Sequence, residues 1–303
     1  MSPDPAHPDP AHHDPAQPDR DQPDRDQPAD RPRAGQAAST TGGRSVVVSS
    51  DGGGGGRSAG PASSARTAVV WEVLSAVLAE ADVDGSGLDV VDAGGGTGGF
   101  AVPLARAGHR VTVVDPSPDS LAALQRRAAE GELSGQVVGL QGDLADLPEL
   151  VGRDSVDLLL CHSVLEVVDD PGSALRTAVP VLRPGGRLSL LVANRDATVL
   201  ARALAGHPEE AARALTDPAG RWGPGDGVRR RFDGTQLREL VTGAGLTLEQ
   251  LHGVRVVADL VPGAVLDAEP GAAAALLALE RALSDRAPFR DLATQLHVLA
   301  QRR

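Results

Sequence analysis

Residues 92–99 read "DAGGGTGG". The stretch follows an apolar run, "LDVV" (88–91), and leads into ten residues of helical pattern (98–107). Strand, glycine turn and helix in that order are the setting in which a parallel α/β sheet holds a ligand, at the carboxyl ends of its strands. Gly94, Gly96 and Gly99 literally satisfy G-x-G-x-x-G, the pattern of a loop that cradles a pyrophosphate. Asp92 points elsewhere. A pyrophosphate sits on the positive end of a helix, and a carboxylate two residues before the first glycine would repel it. The same carboxylate suits a ligand with positive charge.

Working outward, the surrounding pattern is regular. "ARTAVVWEVLSAVLAEA" (65–81) repeats Val69, Val70, Val73, Leu74, Val77 and Leu78 at helical spacing. Further strands are expected at 109–115, 135–143, 155–163 and 187–194. Ser117 is placed to cap a helix over 117–131, and a helix is expected at 171–183, shortened or kinked by Pro180. "PGG" (184–186) reads as a tight turn. Strands that alternate with helices and carry few polar residues predict right-handed βαβ units and a parallel sheet covered on both faces. After residue 195 the order changes: a helical stretch (196–216), a Gly/Pro/Arg-rich loop (217–232), a helix (234–244), a strand-like run (246–261), a helix (272–285) and a final strand (292–303). Two late strands separated by an insertion predict an antiparallel pair added to the sheet, making seven strands in a Rossmann-like α/β fold.

Composition sets limits. Residues 1–60 are rich in Pro, Asp and Gly, include Gly52–Gly56, and carry too few apolar side chains to offset the entropy of ordering. They read as a disordered tail, with 61–303 as the folded domain. His7, His12 and His13 lie in that tail with nothing to fix their geometry, and no metal is expected. The net charge is −12, there is no Lys, and the tail holds nine Asp against six Arg. A domain this acidic is a poor general polyanion binder. The single cysteine, Cys161, excludes an internal disulfide. No apolar run has the length of a membrane span, and the start "MSPDPAHPDP" has no apolar signal-peptide core, so a cytoplasmic location is expected.

The second acidic residue, Asp115, ends the next strand 21 positions after Gly94. A carboxylate there accepts from ribose hydroxyls and implies an adenosine-type ligand of either kind. Asp92 makes the choice. S-adenosylmethionine carries an ammonium and a sulfonium and no phosphate, whereas an NAD-type cofactor of an oxidoreductase carries a pyrophosphate. Asp143, in "LQGDL", follows the third strand and is placed to meet an adenine edge.

"VVDAGGGTG", "VVDPS", "QGDL" and "VLRPGGRLSL", in that order, resemble the motif series of class I S-adenosylmethionine-dependent methyltransferases. A closer resemblance is to the tRNA 5-carboxymethoxyuridine methyltransferases. It is carried by "ARTAVVW" (65–71), "HSVLEVVDDP" (162–171), "GVRVVADL" (253–260), "LLALERALSDRAPFRDLA" (276–293) and "QLHVLAQR" (295–302). It implies methyl transfer to a carboxymethoxy group on the wobble uridine of tRNA. It also implies cofactor contacts from Arg66, Gly94, Gly95, Asp115, the region around Gly142, Asp143 and Leu144, and His162. Asp92, Gly96 and Pro116 complete the expected cofactor set.

Asn194, Arg229, Arg231 and Arg255 are the candidate acceptor-binding residues, with Trp222 and Phe232 flanking the Arg cluster as possible stacking surfaces for a base. A solvated arginine loop is the alternative. If the acceptor is a hydroxyl or amine, His162 or Glu166 is the candidate base; a carboxylate acceptor needs none. His252 and His297 read as structural residues of the late strands. The thin basic patch keeps a small-molecule methyltransferase open as a second reading.

Overall fold

The computed structural model describes residues 61–303. The expected disorder of the tail lies outside the described residues. In chain order the elements are α1 (Pro61–Ala81), β1 (Asp89–Ala93), α2 (Ala101–Arg106), β2 (Arg110–Asp115), α3 (Pro118–Glu130), β3 (Val137–Gln141), α4 (Leu147–Leu150), β4 (Val156–His162), α5 (Pro171–Ala178) and β5 (Leu182–Ala193). They continue with α6 (Arg195–Leu204), α7 (Pro208–Thr216), α8 (Gly234–Gly243), β6 (Leu246–Val254), α9 (Gly263–Ala268), α10 (Ala272–Leu283) and β7 (Gln295–Arg302).

The strands form one seven-stranded sheet in the order β3-β2-β1-β4-β5-β7-β6. β3, β2, β1, β4 and β5 pair in parallel, and β7 lies antiparallel between β5 and β6. The expected α/β architecture with a late antiparallel pair is the observed one. The Val- and Leu-rich strands are explained by burial on both faces. Leu158 and Leu160 of β4 point into a layer with Val70, Leu74, Leu104 and Leu124 from α1, α2 and α3. Leu159 and Cys161, one residue out of phase, point into the opposite layer with Leu190, Leu237, Val241 and Val298. All four of these β4 side chains are fully buried.

Local chemistry sets the boundaries. Ser117 caps α3 as expected, its side chain accepting from Ser120 N–H at 3.2 Å, with Pro118 opening the helix. α5 stops at Ala178 and Val179–Val181 form a 3-10 turn, because Pro180 cannot donate into an α-helix. The expected turn at 184–186 is corrected: these residues lie inside β5, as an irregularity between Val156 and Leu158 in the β4 pairing, with Gly185 at φ 82°. The expected helix over 196–216 is two helices, α6 and α7, broken by Gly206 at φ 82°. The late strand-like run stops at Val254, where Arg255 turns left-handed at φ 62°.

Candidate functional site

The carboxyl ends of β1, β2, β3, β4 and β5 converge where the strand order reverses between β1 and β4, the usual ligand crevice of an open α/β sheet. The glycine turn begins at the end of β1. Gly94, at φ 72°, donates its N–H to Val114 O at 2.7 Å. A Cβ there would collide with Val164, and one at Gly95 with the Asp92 carboxylate. Gly98, at φ 82°, faces Leu124 in the same way. Gly99 has open space around it. The backbone therefore needs glycine at 94, 95 and 98, and the literal G-x-G-x-x-G match ending on Gly99 is a coincidence of a glycine-rich run.

Asp115 ties this turn to the end of β2. Its Oδ2 accepts from Gly96 N–H at 3.0 Å and its Oδ1 from Ser117 N–H at 2.9 Å. Each oxygen keeps a lone pair for a ligand hydroxyl. Asp92 is buried, and its Oδ2 has no partner. Burial, with Asp115 adding like charge, pushes its carboxyl up to about 7. An unpartnered carboxylate against a close backbone turn suits a cationic ligand group. Beside them, Pro116 and Asp143 are exposed and Leu144 is buried. Asp143 Oδ1 accepts from Ala145 N–H at 2.7 Å, and Gly142 N–H bonds Asp115 O at 3.3 Å.

His162 ends β4. Phe100 meets its ring edge-on at 4.7 Å, and Trp71 of α1 stacks on Phe100 at 4.9 Å. His162 Nε2 lies 2.9 Å from Ser189 Oγ, and Ser189 Oγ lies 2.8 Å from His297 Nε2. Burial pushes the His162 imidazole down to about 3, so it is neutral at physiological pH. Glu166 Oε1 accepts from Ala193 N–H at 2.8 Å, while Oε2 is buried without a partner. Burial, opposed by that backbone N–H, pushes its carboxyl up to about 7.

Arg66 and Arg255 meet at one carboxylate that sequence reading passed over. Arg66 Nε donates to Asp259 Oδ1 at 3.1 Å, and Arg255 Nε donates to Asp259 Oδ2 at 2.7 Å. Two guanidinium groups on one carboxylate leave a surplus positive charge. The loop carrying Arg255 is fastened from beneath by Glu280, whose fully buried carboxylate accepts from Val256, Val257 and Ala258 N–H at 3.0, 2.7 and 2.6 Å.

The other acceptor candidates take structural positions. Asn194 is buried and caps α6: Oδ1 accepts from Asp196 N–H at 3.0 Å, and Nδ2 donates to Asp291 O and Ala293 O at 2.8 and 2.7 Å. Its donors are used up. Arg231 is buried, with NH1 and NH2 on the Asp226 carboxylate at 2.6 and 2.9 Å. Arg229 donates to Val167 O at 2.8 Å and to Asp169. Phe232 is buried in the core, and Trp222 is covered by Arg202, 3.7 Å above its ring. The expectation of an open Arg229–Arg231 cluster with flanking stacking residues is corrected at Arg231, Trp222 and Phe232, while Arg229 stays exposed as it donates to Val167 O and Asp169. Ser189, a polar residue in the otherwise apolar "LSLLVA" (188–193), was the one sequence signal for the His162–His297 link.

Among the described residues no helix is long and apolar enough to cross a membrane. The family model described as "Methyltransferase domain" matches residues 91–190. The chain is 32% identical over 237 residues to a tRNA 5-carboxymethoxyuridine methyltransferase of Escherichia coli O157:H7, covering 78% of this chain and 88% of that one. A ubiquinone biosynthesis O-methyltransferase of Caulobacter vibrioides is 35% identical, over 43% of this chain and 52% of its own length. Among solved structures, magnesium protoporphyrin IX methyltransferase from Synechocystis PCC 6803, with bound SAH, shares the fold at a TM-score of 0.53 and 18% identity, covering 82% of this chain and 90% of that one. These likenesses displace the NAD-type reading and make S-adenosylmethionine the cofactor. The chain belongs to the class I S-adenosylmethionine-dependent methyltransferases, in the branch represented by the tRNA 5-carboxymethoxyuridine methyltransferases.

Proposed function

We propose that this methyltransferase, in the cytoplasm, esterifies a carboxylate, the carboxymethoxy group of 5-carboxymethoxyuridine at the wobble position of tRNA. The observation that carries this reading is the span of the similarity: 237 residues, well beyond the shared domain at 91–190. We read 61–303 as a single domain for this task.

In this reading Asp92 faces the ammonium of the cofactor's methionine end, and Arg66 its carboxylate. The turn at Gly94, Gly95 and Gly96 gives close backbone approach. Asp115 accepts from the ribose hydroxyls, and Pro116, Gly142, Asp143 and Leu144 border the adenine. Arg255 takes the acceptor carboxylate, sharing Asp259 with Arg66; the surplus positive charge of that trio favours an anionic acceptor. When bound, S-adenosylmethionine supplies an electrophilic methyl on a sulfonium. A carboxylate oxygen is already a nucleophile at neutral pH, so the chain needs to align and desolvate it and to move no proton. A His162 imidazole pushed down to about 3 is a weak base, which agrees with a site that moves no proton.

A small-molecule acid is the second reading, and one observation favours it: the arginines expected to face RNA are engaged within the protein. Purified protein with labelled S-adenosylmethionine and tRNA carrying 5-carboxymethoxyuridine decides. Label in tRNA as a base-labile methyl ester supports the proposal. Label absent from tRNA but present in an ester of a small carboxylic acid overturns it in favour of the second reading.

A further inference from the structure

β4, β5, β7 and β6 carry His162, Leu191, His297 and His252 in one register row across the sheet. Ser189 lies on the same face of β5, two residues from Leu191. Its hydroxyl bridges His162 Nε2 and His297 Nε2, and both Ser189 and His297 are fully buried. The Nδ1 atoms of His162 and His297 are buried without partners.

A hydroxyl has one proton, so between two Nε2 atoms it donates to one and accepts from the other. One ring must therefore be protonated on Nε2 and the other on Nδ1. With Nε2–H on His162, His297 would hold an unsatisfied N–H in the core. With Nε2–H on His297, the core holds only a bare nitrogen, and the unsatisfied N–H falls on His162, at the carboxyl end of β4 beside the glycine turn. Orphaned buried donors are rarer than orphaned acceptors, and the second arrangement is the one that moves its unsatisfied donor from the core to the strand end bordering the glycine turn.

We infer that Ser189 and His297 are positioning residues that lock His162 as the neutral Nδ1–H tautomer, making it a hydrogen-bond donor toward the bound cofactor and not a base. This deepens the methyltransferase reading and rests on His162 lying at the cofactor. The role is one of orientation: Nε2 is held by Ser189, the ring is steered by Phe100, and Nδ1–H is presented.

The test is nitrogen-15 NMR of the full chain with labelled histidine, with His162→Gln identifying the signal, followed by titration with S-adenosylhomocysteine. The expected result is a neutral His162 at pH 7 with the proton on Nδ1. Ser189→Ala should convert His162 to a mixture of tautomers and weaken S-adenosylhomocysteine binding about fivefold, the effect of one lost hydrogen bond. Ser189→Thr, which keeps the hydroxyl, should restore the wild-type tautomer. A wild-type His162 protonated on Nε2, or charged, overturns the inference, as does an unchanged His162 spectrum in Ser189→Ala. If the tautomer is as expected but S-adenosylhomocysteine does not perturb His162, the lock stands as a structural device and the ligand-facing role is overturned. Failure of the tRNA reading alone would leave the spectrum of His162 as expected.

Discussion

Replacing Asp92 by Asn tests the buried carboxylate directly. Asp92 is 2% exposed, its Oδ2 has no partner, and burial with Asp115 nearby moves its carboxyl from 3.8 to about 7. Because the folded pKa is raised, the folded protein keeps a proton between pH 4 and 7 that the unfolded chain has released. Asp92's contribution to stability therefore falls as pH rises through that window. A shift of about three units corresponds to about 4 kcal/mol by pH 8, at 1.36 kcal/mol per unit. Asn has the same shape and no charge. The stability gap between Asp92→Asn and wild type should thus widen in favour of the variant by about 3–4 kcal/mol from pH 4 to pH 8 in the ligand-free protein. Urea unfolding at four pH values measures the gap, and other titrating groups cancel in the difference. Ligand binding should run the other way: S-adenosylhomocysteine, which carries the ammonium, should bind the variant about tenfold more weakly at pH 8, a loss of about 1.4 kcal/mol. A gap that does not change with pH would refute the reasoning, because Asp92 would then be ionised at no cost in the folded state.

Four further substitutions probe the scaffold. Gly98→Ala should destabilise by about 2–4 kcal/mol, from its positive φ and the collision with Leu124, while Gly99→Ala should stay within about 0.5 kcal/mol; thermal unfolding compares them. Asp226→Asn breaks the buried pair with Arg231 and should cost about 3–5 kcal/mol, with the affinity for S-adenosylhomocysteine unchanged in the folded fraction; a loss of affinity at full folding would put this loop back in the site. Glu280→Gln weakens three charge-assisted bonds to the backbone of 256–258 and should raise hydrogen exchange there by about tenfold or more, which mass spectrometry resolves by segment.

The fold was largely legible because its signals are local. Apolar runs such as "DLLLC", bounded by turn residues, read as strands buried on both faces, and Ser117 followed by Pro118 reads as a helix start; both are observed. The "PGG" of 184–186 misled because its glycine serves a strand irregularity, which carries the same residues as a turn. Among the candidate site residues, the positions of Asp92, Asp115 and the glycines at strand ends were readable. Arg229–Arg231 were not, because a sequence displays charge and hides partners. The carbonyls and carboxylate that take them up come from 167–169 and from Asp226. Asp259 was hidden for the same reason: its meaning comes from Arg66, 193 residues away, on α1.

The position of β7 bears on how the enzyme comes into being. Among the described residues β6 pairs only with β7, and β7 also carries His297. During synthesis the parallel strands β1 to β5 can dock as they emerge, with the glycine turn already shaped, but β6 has no neighbour until the ribosome has passed Arg302. The donor histidine at the end of β4 therefore gains its anchor only once β7 has been made. A nascent or C-terminally clipped chain would hold the cradle for the methyl donor without a fixed His162 beside it.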